Sequence, residues 1–108
     1  MAYVVDLMQS LGPVVAKRMF GGHGLFIDDL MFGLVADSSL YLKADKHSEN
    51  DFKAKGLEAF TYNKKDKQVR LSYYQAPEEA LEDSETMNAW GNKAYSAALT
   101  SAAKKRQR

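Results

Sequence analysis

His23 is the residue whose surroundings most resemble a chemical site. It stands in the run Arg18-Met19-Phe20-Gly21-Gly22-His23-Gly24, where flanking glycines would leave an imidazole exposed. Imidazole changes charge near neutral pH and suits acid–base work. Catalysis also needs a partner held nearby. No neighbouring serine or threonine reads as a nucleophile elbow, and no acids at helical spacing join a histidine in a metal-site pattern. The plainer reading of His23 is therefore a polar loop residue. His47 lies among charges just before a helix and reads as solvated surface. The glycines suggest a second chemistry, since backbone amides in glycine-rich turns bind anions. A phosphate loop, however, leads into a helix N-terminus and usually carries a lysine. This run leads into the apolar stretch 25–27. A tight hairpin turn or a β-bulge explains the glycines more simply, with His23 at the tip. The sequence thus predicts no catalytic residue, metal ligand or cofactor.

Nucleic-acid recognition is the other chemistry to weigh. Phe20, Phe26, Phe32, Tyr41, Phe60, Tyr62, Tyr73 and Tyr74 are interleaved with Arg18, Lys43 and Arg70. Exposed aromatics among cations stack single-stranded bases. Core packing and cross-strand pairing explain most of these rings equally well. The closing Lys104, Lys105, Arg106 and Arg108 would either touch phosphates or complement a helix dipole. The net charge of +1 gives no global attraction for a polyanion.

The elements that must position these residues follow from patterning. In residues 3–11, Val4, Leu7, Met8 and Leu11 form one stripe of a short helix, which Gly12-Pro13 ends. Strands are expected over 14–20, 25–27, 30–36 and 40–44, with turns at Asp28-Asp29 and Asp37-Ser38-Ser39. Such short connections force antiparallel neighbours. Ser48-Glu49-Asn50-Asp51 resembles a capping box opening a helix that Gly56 closes. A hairpin with arms 59–62 and 68–74 surrounds residues 63–67. Pro77 with Glu78 and Glu79 begins a helical turn. A long helix starts near Asp83 or Ser84, with Met87, Trp90, Ala94, Ala97, Ala98 and Ser101 on one face. On that stripe Trp90 reads as a core anchor. The expected class is α+β: an antiparallel sheet of five or six strands, helices mainly on one face, and a long C-terminal helix.

With 108 residues, 45% of them hydrophobic and 27% charged, the chain reads as one folded domain, 1–108, with a frayed basic tail over 104–108. The absence of cysteine excludes disulfides and thiolate chemistry. No apolar run is long enough for a membrane span, and no signal peptide is evident, so a cytoplasmic location without membrane contact is expected. A homodimer is a further expectation, because small domains often pair through an exposed face or edge strand.

Taken together, Arg18-Met19-Phe20-Gly21-Gly22-x-Gly24, Met31-Phe32-Gly33-Leu34-Val35 and Leu40-Tyr41-Leu42-Lys43 resemble the N-terminal domain of the TfoX (Sxy) family. Phe60-x-Tyr62, Ser72-Tyr73-Tyr74-x-x-Pro77, Glu82-Asp83 and Trp90 before an alanine-rich helix agree, so the resemblance runs over about 8–103. It implies a small bacterial α+β domain with a non-enzymatic role. Full-length relatives regulate natural-competence genes with the cyclic-AMP receptor protein, and they carry a second, C-terminal domain. His23 and Asp29 depart from the family pattern, where an aromatic and a glycine are common. The resemblance implies an interaction domain acting in transcription through a protein partner. A direct nucleic-acid module is the alternative, and a ligand-binding or enzymatic domain centred on His23 is a third reading. The candidate interaction residues are Arg18, Met19, Phe20, Gly21, Gly22, His23, Gly24, Tyr41, Lys43, Tyr73, Tyr74, Pro77 and Trp90.

Overall fold

Short two-residue turns dictate most of the architecture. In a computed structural model, which describes residues 2–19 and 22–106, with side chains for 3–19 and 22–104, Asp28-Asp29, Asp37-Ser38 and Lys65-Asp66 all adopt positive φ, between 48 and 66°. That mirror-image turn matches the right-handed twist of a hairpin, and aspartate tolerates it better than most residues. The chain runs through α1 (Ala2–Leu7), β1 (Val15–Met19), β2 (Gly22–Ile27), β3 (Leu30–Ala36) and β4 (Ser39–Lys43). It continues through α2 (Glu49–Ala54), β5 (Ala59–Lys64), β6 (Lys67–Gln75) and α3 (Ser84–Arg106). The six strands form one antiparallel sheet in the order β1-β2-β3-β4-β6-β5. The expected α+β class and long C-terminal helix are what the chain adopts.

Several boundaries differ from the sequence expectation. The first helix stops at Leu7, and a 3-10 turn over Gln9–Leu11 carries its stripe onward. Met8 is fully buried, with Val4, Leu7 and Leu11 packed around it. The start of α2 is capped three residues earlier than the Ser48 motif suggests. Asp45 Oδ1 accepts the amides of His47 and Ser48, each at 2.9 Å, and the Ser48 hydroxyl at 3.1 Å. Ser48 Oγ in turn accepts the Asp45 amide at 3.0 Å. Serine therefore fills the place that glutamate takes in the usual box. These bonds, led by the Ser48 amide, hold the Asp45 carboxyl below the ordinary carboxylate range. Pro77 precedes the 3-10 turn Glu78–Leu81 in an extended conformation, with φ −65° and ψ 143°. The β5–β6 hairpin is longer than expected, so Lys64 and Lys67 are ladder residues and the turn is Lys65-Asp66 alone.

Along β3 the pairing slips: Leu25 faces Gly33, while Phe26 faces Met31. The extra residue reverses the alternation beyond it. Phe32 and Val35 therefore pack on one side of the sheet, and Met31, Leu34 and Ala36 on the other. All described helices contribute to the first side. There α3 lies over β3 and β4 with Met87, Trp90, Ala94, Ala97 and Ala98 buried. The alanines let helix and sheet approach closely. Phe52 of α2 stacks on Tyr74 at 5.5 Å and meets Trp90 at 5.0 Å.

Candidate interaction surface

The second side of the sheet carries no helix among the described residues, yet it is far from polar. Leu34, Ala36, Phe60 and Tyr73 are buried in it, and Met19, Met31, Tyr41, Tyr62 and Leu71 pack half-buried around them. Tyr41 meets Phe60 edge-on at 5.0 Å, and Phe60 stacks with Tyr62 at 6.3 Å. This open face is a continuous apolar and aromatic patch across five strands. Two lysines cover its ring faces: Lys17 Nζ lies 5.0 Å from the Phe26 centroid, and Lys43 Nζ lies 5.1 Å from that of Tyr73. Lys43 also donates to Ser72 Oγ at 2.9 Å.

The glycine motif is part of this face rather than a loop above it. Gly22, His23 and Gly24 belong to β2 and pair with Met19, Arg18 and Lys17. His23 is therefore not at a turn tip. It sits half-buried inside a strand, between Arg18 and Val35. Neither Gly22 nor Gly24 has positive φ; space, not backbone shape, requires them. A Cβ on Gly22 would lie 1.9 Å from the Val35 carbonyl oxygen. A Cβ on Gly24 would fall 2.5 Å from Met19 Sδ and 2.9 Å from Phe26 Cε1. Gly24 is thus the floor on which Met19 and Met31 lie. Phe20 and Gly21 fall outside the described residues.

The remaining candidates separate by face. Tyr41, Lys43 and Tyr73 belong to the open face. Tyr73 is buried, its hydroxyl donating to the Met31 carbonyl beside the β3 irregularity at 3.2 Å, and burial pushes its phenol up to about 12. Tyr74 points to the helix side, where Arg70 Nη2 donates to its hydroxyl at 2.7 Å. Arg18 pairs with His23 on that same side, near the β1 edge. The sheet therefore separates Arg18 and Arg70 from Lys43, and the three cations do not form one nucleic-acid site. Trp90 and Pro77 are buried. Lys55 and Lys93 reach over the Trp90 ring, at 5.9 and 5.7 Å, while paired with Glu79 and Asp51. Trp90 is the core anchor that its stripe implies.

One feature escaped the sequence reading. None of the 14 acidic residues lies in a strand, whereas the strands contain Lys17, Arg18, Lys43, Lys64, Lys67 and Arg70. The near-neutral total hides a basic sheet beneath acidic helices and turns. Tyr62 pairs with Val69 and Lys64 with Lys67, so both of these lysines share the open face with Tyr62. The signal was present in the sequence but depended on placing Lys64 and Lys67 in strands instead of a turn.

Among the described residues, no group of three or more histidine, aspartate or glutamate side chains is placed to hold a metal ion. No helix there is long and apolar enough to cross a membrane. The TfoX N-terminal domain family profile matches residues 6–98. The chain is 34% identical over 73 residues to the DNA transformation protein TfoX1 of Aliivibrio fischeri (strain ATCC 700601 / ES114), covering 68% of this chain and 35% of that protein. It is 32% identical over 73 residues to Protein Sxy of Escherichia coli (strain K12), with the same 68% and 35% coverage. The matched segment is thus about a third of the length of these curated relatives. The glycine-bearing strand, the Tyr73-Tyr74 pair and the first part of the alanine-rich helix fall inside the matched span, and the chain belongs to the TfoX N-terminal domain family.

Proposed function

We propose that this domain is a non-enzymatic regulatory module of DNA-uptake competence, acting on transcription through a protein partner that docks on the open sheet face. The observation that carries the docking face is the apolar cluster of Met19, Met31, Tyr41, Tyr62 and Leu71 on a side that none of the described helices covers. A sheet face of this composition is normally covered by a second layer. The regulatory half of the proposal draws on likeness to a protein named for DNA transformation. The cyclic-AMP receptor protein is the first partner to try. His23 pairs with Arg18 and Val35 in the strand ladder, on the side of the sheet away from this cluster.

The test is transcription of competence genes in a naturally transformable bacterium expressing this chain. Wild-type chain should change transcript levels. Leu71→Glu, which charges the open face at a half-buried position, should abolish the change while the protein still accumulates folded. Unchanged transcripts with the wild-type chain, or an undiminished effect with Leu71→Glu, would overturn the reading.

A further inference from the structure

The charge and shape of the open face specify what kind of partner it takes. We infer that it docks an acidic amphipathic helix, whose apolar stripe covers Met19, Met31 and Leu71 and whose carboxylates meet Lys17, Lys43, Lys64 and Lys67. This rests on the docking face proposed above and adds the chemistry of the occupant.

Charge is the first argument. The strand positions on this face hold those four lysines and no acid. Asp28, Asp29, Asp37 and Asp66 lie in the hairpin turns at its ends, and Glu58 immediately precedes β5. A second copy laid face to face would set four lysines against four, and like charges brought together across an interface oppose association.

The second argument separates protein from nucleic acid. Base stacking needs open ring faces. Here Lys17 covers Phe26, Lys43 covers Tyr73, and Phe60 is buried between Tyr41 and Tyr62. The rest of the patch is half-buried: Met19, Met31 and Leu71, with Tyr41 and Tyr62 packed against Phe60. Unbranched methionines repack easily around an apolar partner. Met19 and Met31 lie over the side-chain-free floor at Gly24.

The third argument is dimension. Six strands at the usual spacing of about 4.8 Å span roughly 25 Å, which a helix of about 16 residues crosses. Such a helix would lie on the side of the sheet opposite α3 and complete a three-layer domain. Where the open face meets the end of α3, a cleft of about 300 Å³ is bordered by Phe26, Met31, Lys43, Tyr73 and Ala98, with Asp29 at its rim, and can take one large apolar side chain. Anchors of that kind concentrate binding energy.

The experiment selects from a displayed library of helical 18-residue peptides on the intact chain, alongside titration with a 16-nucleotide oligo(dT). Selected peptides should be enriched in aspartate and glutamate beside an apolar stripe at i, i+3, i+4 and i+7. They should perturb the amide resonances of Met19, Met31 and Leu71. The exposed-residue variant Lys17→Glu/Lys64→Glu/Lys67→Glu, with its fold checked by circular dichroism, should bind them at least ten-fold more weakly. Winners without acidic enrichment, perturbations on the α3 side, tighter binding of oligo(dT) at this face, or concentration-dependent dimers abolished by the triple variant would each overturn the inference. If selection fails but competence transcription still responds to Leu71→Glu, only the partner chemistry is wrong. If selection succeeds and transcription ignores the face, the regulatory reading fails and the inference stands.

Discussion

Replacing Gly22 by alanine should unfold this protein far more readily than the same change at Gly24, although both glycines belong to one motif. At Gly22 the added Cβ meets main chain: the Val35 carbonyl oxygen at 1.9 Å and Ala36 Cα at 3.2 Å. Contacts below 3.0 Å are essentially never tolerated, so β2 and β3 must separate by about 1 Å at that point. Neither strand can yield alone, because β2 is also laddered to β1, and β3 to β4. The cost should reach or exceed the upper end of the overpacking range, about 3 kcal/mol. At roughly 4 °C or more per kcal/mol, the midpoint should fall by about 12 °C. At Gly24 the nearest atoms are Met19 Sδ at 2.5 Å and Phe26 Cε1 at 2.9 Å, with Met31 Sδ at 3.3 Å. Thioethers swing aside cheaply, and alanine also restricts the unfolded chain, a gain of about 0.4–1 kcal/mol. The net cost at Gly24 should therefore be about 1 kcal/mol or less. Thermal melting followed by the fluorescence of Trp90, the only tryptophan, reads both variants directly. If Gly22→Ala melts within a degree or two of wild type, or Gly24→Ala is the worse of the two, the account of the motif as a space requirement is wrong.

Two further perturbations test other parts of the fold. Tyr73→Phe removes the hydroxyl that satisfies the Met31 carbonyl and should cost about 1 kcal/mol in chemical denaturation. Because the folded phenol is raised to about 12 from an ordinary 10.0, it contributes stability that is intact below pH 10 and lost as pH rises toward 12; that extra alkaline loss should be absent in Tyr73→Phe. Asp45→Ala removes the cap of α2 and should cost about 1 kcal/mol at neutral pH. Its folded carboxyl is depressed, so the difference from wild type should persist at neutral pH and vanish as acid protonates Asp45, as thermal melts across the acid range would show.

Much of the architecture was legible because it is local. The stripe Met87, Trp90, Ala94, Ala97 and Ala98 reads at helical spacing and is the buried face of α3. Asp28-Asp29 and Asp37-Ser38 read as turns and are the left-handed hairpin connections. Where the reading failed, the controlling contact was distant in sequence. Three glycines in four residues read as a turn, yet Gly22 and Gly24 stand in a strand. The requirement at Gly22 comes from Val35, which arrives only when β3 folds back, and that at Gly24 from Met19 and Phe26, which the ladder and the open face bring over it. Asp45 displaced Ser48 as the cap because a carboxylate can gather two amides and a hydroxyl at once.

The sequence by itself determined the class of fold, the antiparallel pairing and the family, since hydrophobic period, turn chemistry and motif order are properties of the chain. Tertiary structure alone decided which side each side chain serves. One slipped residue between Met31 and Gly33 turns Leu34 and Ala36 away from the helices, and adjacent Tyr73 and Tyr74 point through opposite faces of the sheet. Sidedness depends on register, and register is fixed only when strands distant in sequence meet. That is why a chain of net charge +1 reveals its basic, apolar open face only once folded.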